Sequence, residues 1–125
     1  MDKISLHILR IGLGITFLWI GWMIFQNPEA WGGYMKPWAT DLLLFPISQM
    51  MIGNAFLDMM VGILLICNLF TWQAALLGTI HLIGVLVVSG ITDITVRDIG
   101  LLGAVICLMI NFLPENVYKR IFSKN

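Results

Sequence analysis

Charge is scarce in this sequence: Lys, Arg, Asp and Glu supply 11% of 125 residues, seven of each sign, for a formal net charge of zero. Without a basic excess or a basic run there is no electrostatic footprint for nucleic acid. Cysteine is nearly absent. Cys67 and Cys107 stand far apart inside apolar stretches and form no C-x-x-C motif, so they read as inert thiols rather than a redox pair. His7 and His81 have no cysteine or carboxylate at ligand spacing, and no metal centre is expected. No nucleophile–base pair, phosphate-binding loop, flavin, haem or iron–sulfur motif is present, so no catalytic residue is assigned. No polar stretch is long enough for a separate soluble domain.

What fills the chain instead is hydrocarbon. Hydrophobic residues make up 59% of it, and the mean hydropathy is +0.93. A water-soluble domain of this size would lack the polar residues to cover its surface. The apolar runs predict an all-α fold, an integral membrane antiparallel four-helix bundle. Its spans lie at about 4–25, 47–70, 72–90 and 97–113, each near the ~20 residues that cross a bilayer. The first run contains Arg10 and lacks a small-residue cleavage pattern, so it reads as an uncleaved span rather than a signal peptide. Residues 27–46 form an interfacial helical segment, with Asn27-Pro28 as a helix start and Trp31, Tyr34 and Trp38 at helical intervals. The tail after Pro114 reads as polar.

Lys3, Lys119, Arg120 and Lys124 flank one side, with Arg10 just inside it, and Lys36 and Arg97 lie on the other. The positive-inside rule then places both termini in the cytoplasm and the chain in the inner, cytoplasmic membrane.

Asp58 is the residue that asks for a function. It falls near the middle of the second span, where an ionised group costs roughly 3 kcal/mol on insertion scales. A partner, a proton or a cavity must relieve that cost. Each span carries its polar groups on the same face as its small residues: Arg10 with Gly14 and Gly21, Asn54 and Asp58 with Gly62, His81 with Ala74 and Gly78. Small residues let membrane helices approach closely, so these faces point inward. At ~1.5 Å per residue, Arg10 lies about 9 Å, His81 about 12 Å and Asp58 about 17 Å above the inner surface. A buried Arg10–Asp58 pair with His81 alongside is the expectation. A second group, Asn54, Trp22, Gln26 and Arg97-Asp98, lies nearer the outer face under the Trp31/Trp38 lid. Together they make a polar column. Three uses are open for it: structural pairing of helices, a small-molecule or quinone site, or a proton or ion path.

Three strings extend this. Leu9 to Gly21 (L-R-I-G-L-G-I-T-F-L-W-I-G), Asp58 followed by M-M-V-G-I-L-L-I-C-N-L-F-T, and V-R-D-I-G-L-L-G-A at Val96 to Ala104 resemble the DoxX family of four-helix membrane proteins. Asn68 stands where the family pattern has glycine, and Asp58 where glutamate is more usual. The resemblance implies a bundle that meets quinone or anchors a redox partner, with Arg10, Asp58, Arg97 and Asp98 carried over by motif position. His81, Asn54 and Trp22 join as ligand-binding candidates from spacing alone.

The favoured expectation is therefore a small membrane subunit associated with a redox assembly and contacting quinone or a similar lipid-soluble molecule, at most a non-catalytic or quinone-binding subunit of an oxidoreductase. Its partners would be membrane lipid and a protein of the same complex, and an oligomer is compatible. The alternatives are a purely structural subunit of a respiratory or photosynthetic complex, and a small proton-coupled oligomeric transporter.

Overall fold

In the computed structural model, residues 1–123 are described; Lys124, counted above on the inner side, lies outside them. The described residues form helices and no strand: α1 (Lys3–Gln26), α2 (Pro28–Gly32), α3 (Pro37–Asp41), α4 (Ile47–Cys67), α5 (Thr71–Ser89), α6 (Val96–Phe112) and α7 (Glu115–Phe122). Helices dominate because a backbone in hydrocarbon must satisfy its own hydrogen bonds. α1, α4 and α5 are long and apolar enough to cross a membrane. α6 has 17 residues, about 25 Å of rise against a hydrocarbon core of about 30 Å. It passes the same test only together with α7, across a bend of 115°. The chain is a helical membrane protein.

Local chemistry sets the ends. Asp2 caps α1, its carboxylate accepting the Ser5 backbone N–H and the Ser5 hydroxyl, both at 2.8 Å. Those bonds, the backbone one foremost, hold the Asp2 carboxyl below the usual carboxylate range. α4 stops at Cys67, three residues short of the span expected from hydropathy, because Asn68 and Phe70 turn left-handed with φ of 55° and 49°. Asn tolerates that conformation better than most residues, and its amide oxygen accepts the Thr71 hydroxyl at 2.6 Å where α5 begins. The interfacial segment is two single-turn helices, α2 and α3, each opening on a proline. The tail after Pro114 is not simply polar: α7 puts Val117, Tyr118, Ile121 and Phe122 on one side and Glu115 and Lys119 on another, with none of its residues buried. The spacing 117, 118, 121, 122 carried that signal.

The helices pack as two close pairs. α1 lies along α4 and α5 along α6, while the α4–α5 and α1–α6 seams are thinner. Glycine makes the first pair close and antiparallel: a Cβ added to Gly62 would lie 2.6 Å from the Gly14 carbonyl oxygen, and one added to Gly21 would lie 2.7 Å from the Ala55 carbonyl oxygen. Toward the end where α1 starts and α6 finishes, Leu13, Phe17, Val61, Leu65, Val105 and Leu108 fill the space between the pairs. Toward the other end the fill thins to Ile24, Met51 and Ala55, with Trp31 and Met35 from the interfacial segment packed on them. A space is left between the pairs there.

Candidate functional site

That space is a cavity of about 910 Å³. Its walls are mostly apolar, from Phe17, Ile20 and Met23 of α1, Met51 of α4, and Leu82 and Val85 of α5. Trp31, Tyr34, Met35 and Trp38 of the interfacial segment cover the end away from the Leu65 and Leu108 core. The polar groups reaching it are few: Asn54, Asp58, His81, Arg97 and Asp98, with the hydroxyl residues Thr16, Ser89 and Thr95.

Asp58 and His81 make the one carboxylate–imidazole contact between helices among the described residues. His81 Nε2 lies 3.1 Å from Asp58 Oδ1, with the two side chains 11% and 5% exposed. α4 and α5 run side by side from the Asn68–Phe70 turn, which brings the Asp58 and His81 turns level. With Nε2 directed at Asp58, Nδ1 has no partner among the described residues. Among the described residues the only fully buried side-chain nitrogen or oxygen without a partner is Arg10 Nε, so His81 Nδ1 remains open at the cavity the residue lines. Asn54 sits one turn from Asp58 on the same face, and its side chain also lines the cavity. Its amide makes no hydrogen bond to the described residues. At the far end of α5, a hydroxyl cluster closes the Gly90–Thr95 turn: the Thr92 N–H donates to Thr95 Oγ1 at 2.7 Å, and the Thr95 hydroxyl donates to the Gly90 carbonyl. This turn delivers Arg97 and Asp98 to the cavity mouth, Arg97 exposed and Asp98 half-buried.

The expected Arg10–Asp58 pair is not formed. Arg10 Nη1 donates to the Leu65 and Ile66 carbonyls, the second at 2.9 Å, and Nη2 lies 3.2 Å from His7 Nδ1. Those carbonyls belong to the last turn of α4, where the i+4 donors have run out, the Leu65 carbonyl keeping only a 3.3 Å bond from the Asn68 N–H, and the dipole favours a cation. The Gly14–Gly62 contact sets this register: Arg10, one turn from Gly14, lands level with Leu65. Asp58 is seven residues farther, about 10 Å along the helix. Arg10 is therefore a helix cap and not part of the cavity. Trp22 is a second correction, since it is 51% exposed and stacks on Phe25 with ring centroids 6.0 Å apart. Gln26 is exposed as well and does not line the cavity. The single polar column thus resolves into a cap at the end of α4 and one cavity lined by Asn54, Asp58, His81, Arg97 and Asp98.

Lys36 does work that spacing did not reveal. Its backbone N–H donates to the Val88 carbonyl at 2.8 Å, tying the interfacial segment to the end of α5. Its side chain lies over Gly90, whose φ of 68° and ψ of −170° belong to a region nearly exclusive to glycine. Gly90→Ala is expected to cost on the order of 1–3 kcal/mol from backbone strain alone, and its Cβ would meet the Lys36 side chain. Amide exchange at Lys36 reports the outcome: faster exchange in the variant means the tie has loosened.

A protein-family model described as DoxX matches residues 5–91 of this chain, well over half of it. The V-R-D-I-G-L-L-G-A string at Val96 to Ala104 lies beyond the matched segment. No curated protein and no solved structure matches the chain.

Proposed function

The chain belongs to the DoxX family, and from that premise we propose that it is a small membrane subunit that holds the head group of a lipid-soluble molecule of the quinone type beside a redox partner. The observation carrying this is the cavity of about 910 Å³ with the Asp58–His81 pair in its wall. Its size lies within the range of small-molecule sites, and such sites combine apolar walls with a few convergent polar groups. Aromatic rings of Trp31 and Trp38 suit a flat head group, and Asn54 offers it both a donor and an acceptor.

His81 gives the site its proton chemistry. With Nε2 directed at Asp58, Nδ1 accepts from a hydroxyl when the imidazole is neutral and donates to a carbonyl when it is protonated. The Asp58 carboxylate orients the ring. Within this proposal the four long helices form an antiparallel four-span bundle in the inner membrane, both termini cytoplasmic, with α7 lying in the interface. Any electrons come from the protein partner, since the sequence carries no motif for a redox centre.

One observation favours the second reading, a structural subunit: the buried Arg10 joins α1 to the carbonyls at the end of α4, and Asp58–His81 likewise joins two helices. Titration with decylubiquinone, read by quenching of the lid tryptophans, separates the two. Saturable quenching that weakens about tenfold in Asp58→Asn and His81→Gln, the loss of about 1.4 kcal/mol, supports the head-group site. Arg10→Lys is expected to leave it unchanged, because Arg10 lies outside the cavity. Equal quenching in wild type and Asp58→Asn would leave the structural role standing.

A further inference from the structure

We infer that the cavity is entered sideways from the lipid, through the seam between α1 and α6, and that Gly100 keeps this seam open by having no side chain. The inference rests on reading the cavity as a site for a lipid-soluble molecule, and it adds the route and the residue that controls it. The end away from the Leu65 and Leu108 core is covered by the interfacial segment, which the Lys36–Val88 hydrogen bond ties to α5 and whose Tyr34, Trp38 and Leu42 line the cavity while also being exposed at the surface of the bundle end. The opposite end is filled by Leu13, Val105 and Leu108. A lateral route from the lipid must then pass through one of the two thin seams between the helix pairs.

Exposure chooses between them. Along the long helices, a residue that both lines the cavity and is open to the outside marks a gap between them. On the α1–α6 side both walls carry such residues: Trp19, 66% exposed, on α1, and Arg97 and Gly100, both exposed, on α6. On the α4–α5 side only Gly84 qualifies, and the α4 lining residues Met50, Met51, Asn54 and Asp58 are all at least partly buried. A Cβ added at Gly100 would meet nothing within 4 Å, so a larger side chain fits there without disturbing the packing. Gly103, one turn along α6, is equally open but lines no part of the cavity. The occupant that suits this portal is an amphiphile with its head near His81 and its hydrocarbon tail left among the lipid chains. Arg97 at the rim is placed to meet a polar linker.

The test is thiol labelling in proteoliposomes, which reads access whether or not quinone binds. Val85→Cys, on the cavity wall one turn from His81, is introduced together with Cys67→Ala and Cys107→Ala. A membrane-dissolved N-alkyl maleimide is expected to label it, and a sulfonated, water-confined thiosulfonate is not. Adding Gly100→Leu should slow the maleimide about tenfold, while Gly103→Leu leaves the rate unchanged. Ready labelling by the charged reagent, no labelling by either, or slowing by Gly84→Leu in place of Gly100→Leu would each overturn the portal. Decylubiquinone added as a protectant tests the head-group reading apart from it: a portal that behaves as expected without protection would defeat that reading alone.

Discussion

His81→Leu is expected to destabilise the protein by about 3–5 kcal/mol, because it leaves the Asp58 carboxylate buried without its partner. The double variant Asp58→Leu/His81→Leu should recover most of that loss, since replacing a buried ion pair by apolar residues of similar size is often close to neutral. The measurement is a double-mutant cycle on unfolding in mixed detergent micelles. Additive single losses would mean that the 3.1 Å contact carries no coupling, and the site argument would lose its base. The cycle also separates packing from function. A folded double variant that no longer responds to decylubiquinone assigns the pair to the ligand. One that responds as wild type assigns it to the helices.

Gly62→Ala carries the second large effect. Its Cβ would lie 2.6 Å from both the Gly14 carbonyl oxygen and the Leu18 backbone nitrogen. These are backbone atoms, which cannot rotate away, so α1 and α4 must separate. Overpacking of this kind costs typically 1–3 kcal/mol, and contact with backbone on the facing helix puts Gly62→Ala near about 3 kcal/mol. Separation would also draw Arg10 from the Leu65 and Ile66 carbonyls. Gly12→Ala is the matched control: nothing lies within 4 Å of its Cβ, and alanine's helix propensity should make it neutral or stabilising by up to about 1 kcal/mol. Thermal unfolding in detergent compares the two, and equal midpoints would rule out the close approach of α1 and α4.

The small-residue faces carried much of the site in advance. Placing Asn54 and Asp58 on the face of Gly62, and His81 on the face of Gly78, is a matter of helical period, and it correctly turned them toward neighbouring helices. Pairing was harder. Arg10 and Asp58 were matched by sign and by an estimated depth difference that a long side chain can cover, yet the estimate left out the carbonyls at the end of α4. Those acceptors belong to the backbone and leave no trace in side-chain identity. Trp22 was misplaced for a related reason: an aromatic near a span end serves equally as an interface anchor or as a cavity wall, and only its rotation about α1 decides. The Lys36 tie was invisible because it is a backbone hydrogen bond between distant segments.

By itself, then, the sequence determined that the chain is helical and lies in a membrane, and that a carboxylate sits deep within its second span. Composition and period suffice for this, because hydrocarbon admits only backbone that satisfies its own hydrogen bonds. The tertiary structure decided which buried charges meet. It set Arg10 against helix-end carbonyls and Asp58 against His81, and it left a lined cavity between two helix pairs. Those outcomes depend on the register and spacing of packed helices, fixed by contacts such as Gly14 on Gly62, where a shift of one turn exchanges every partner.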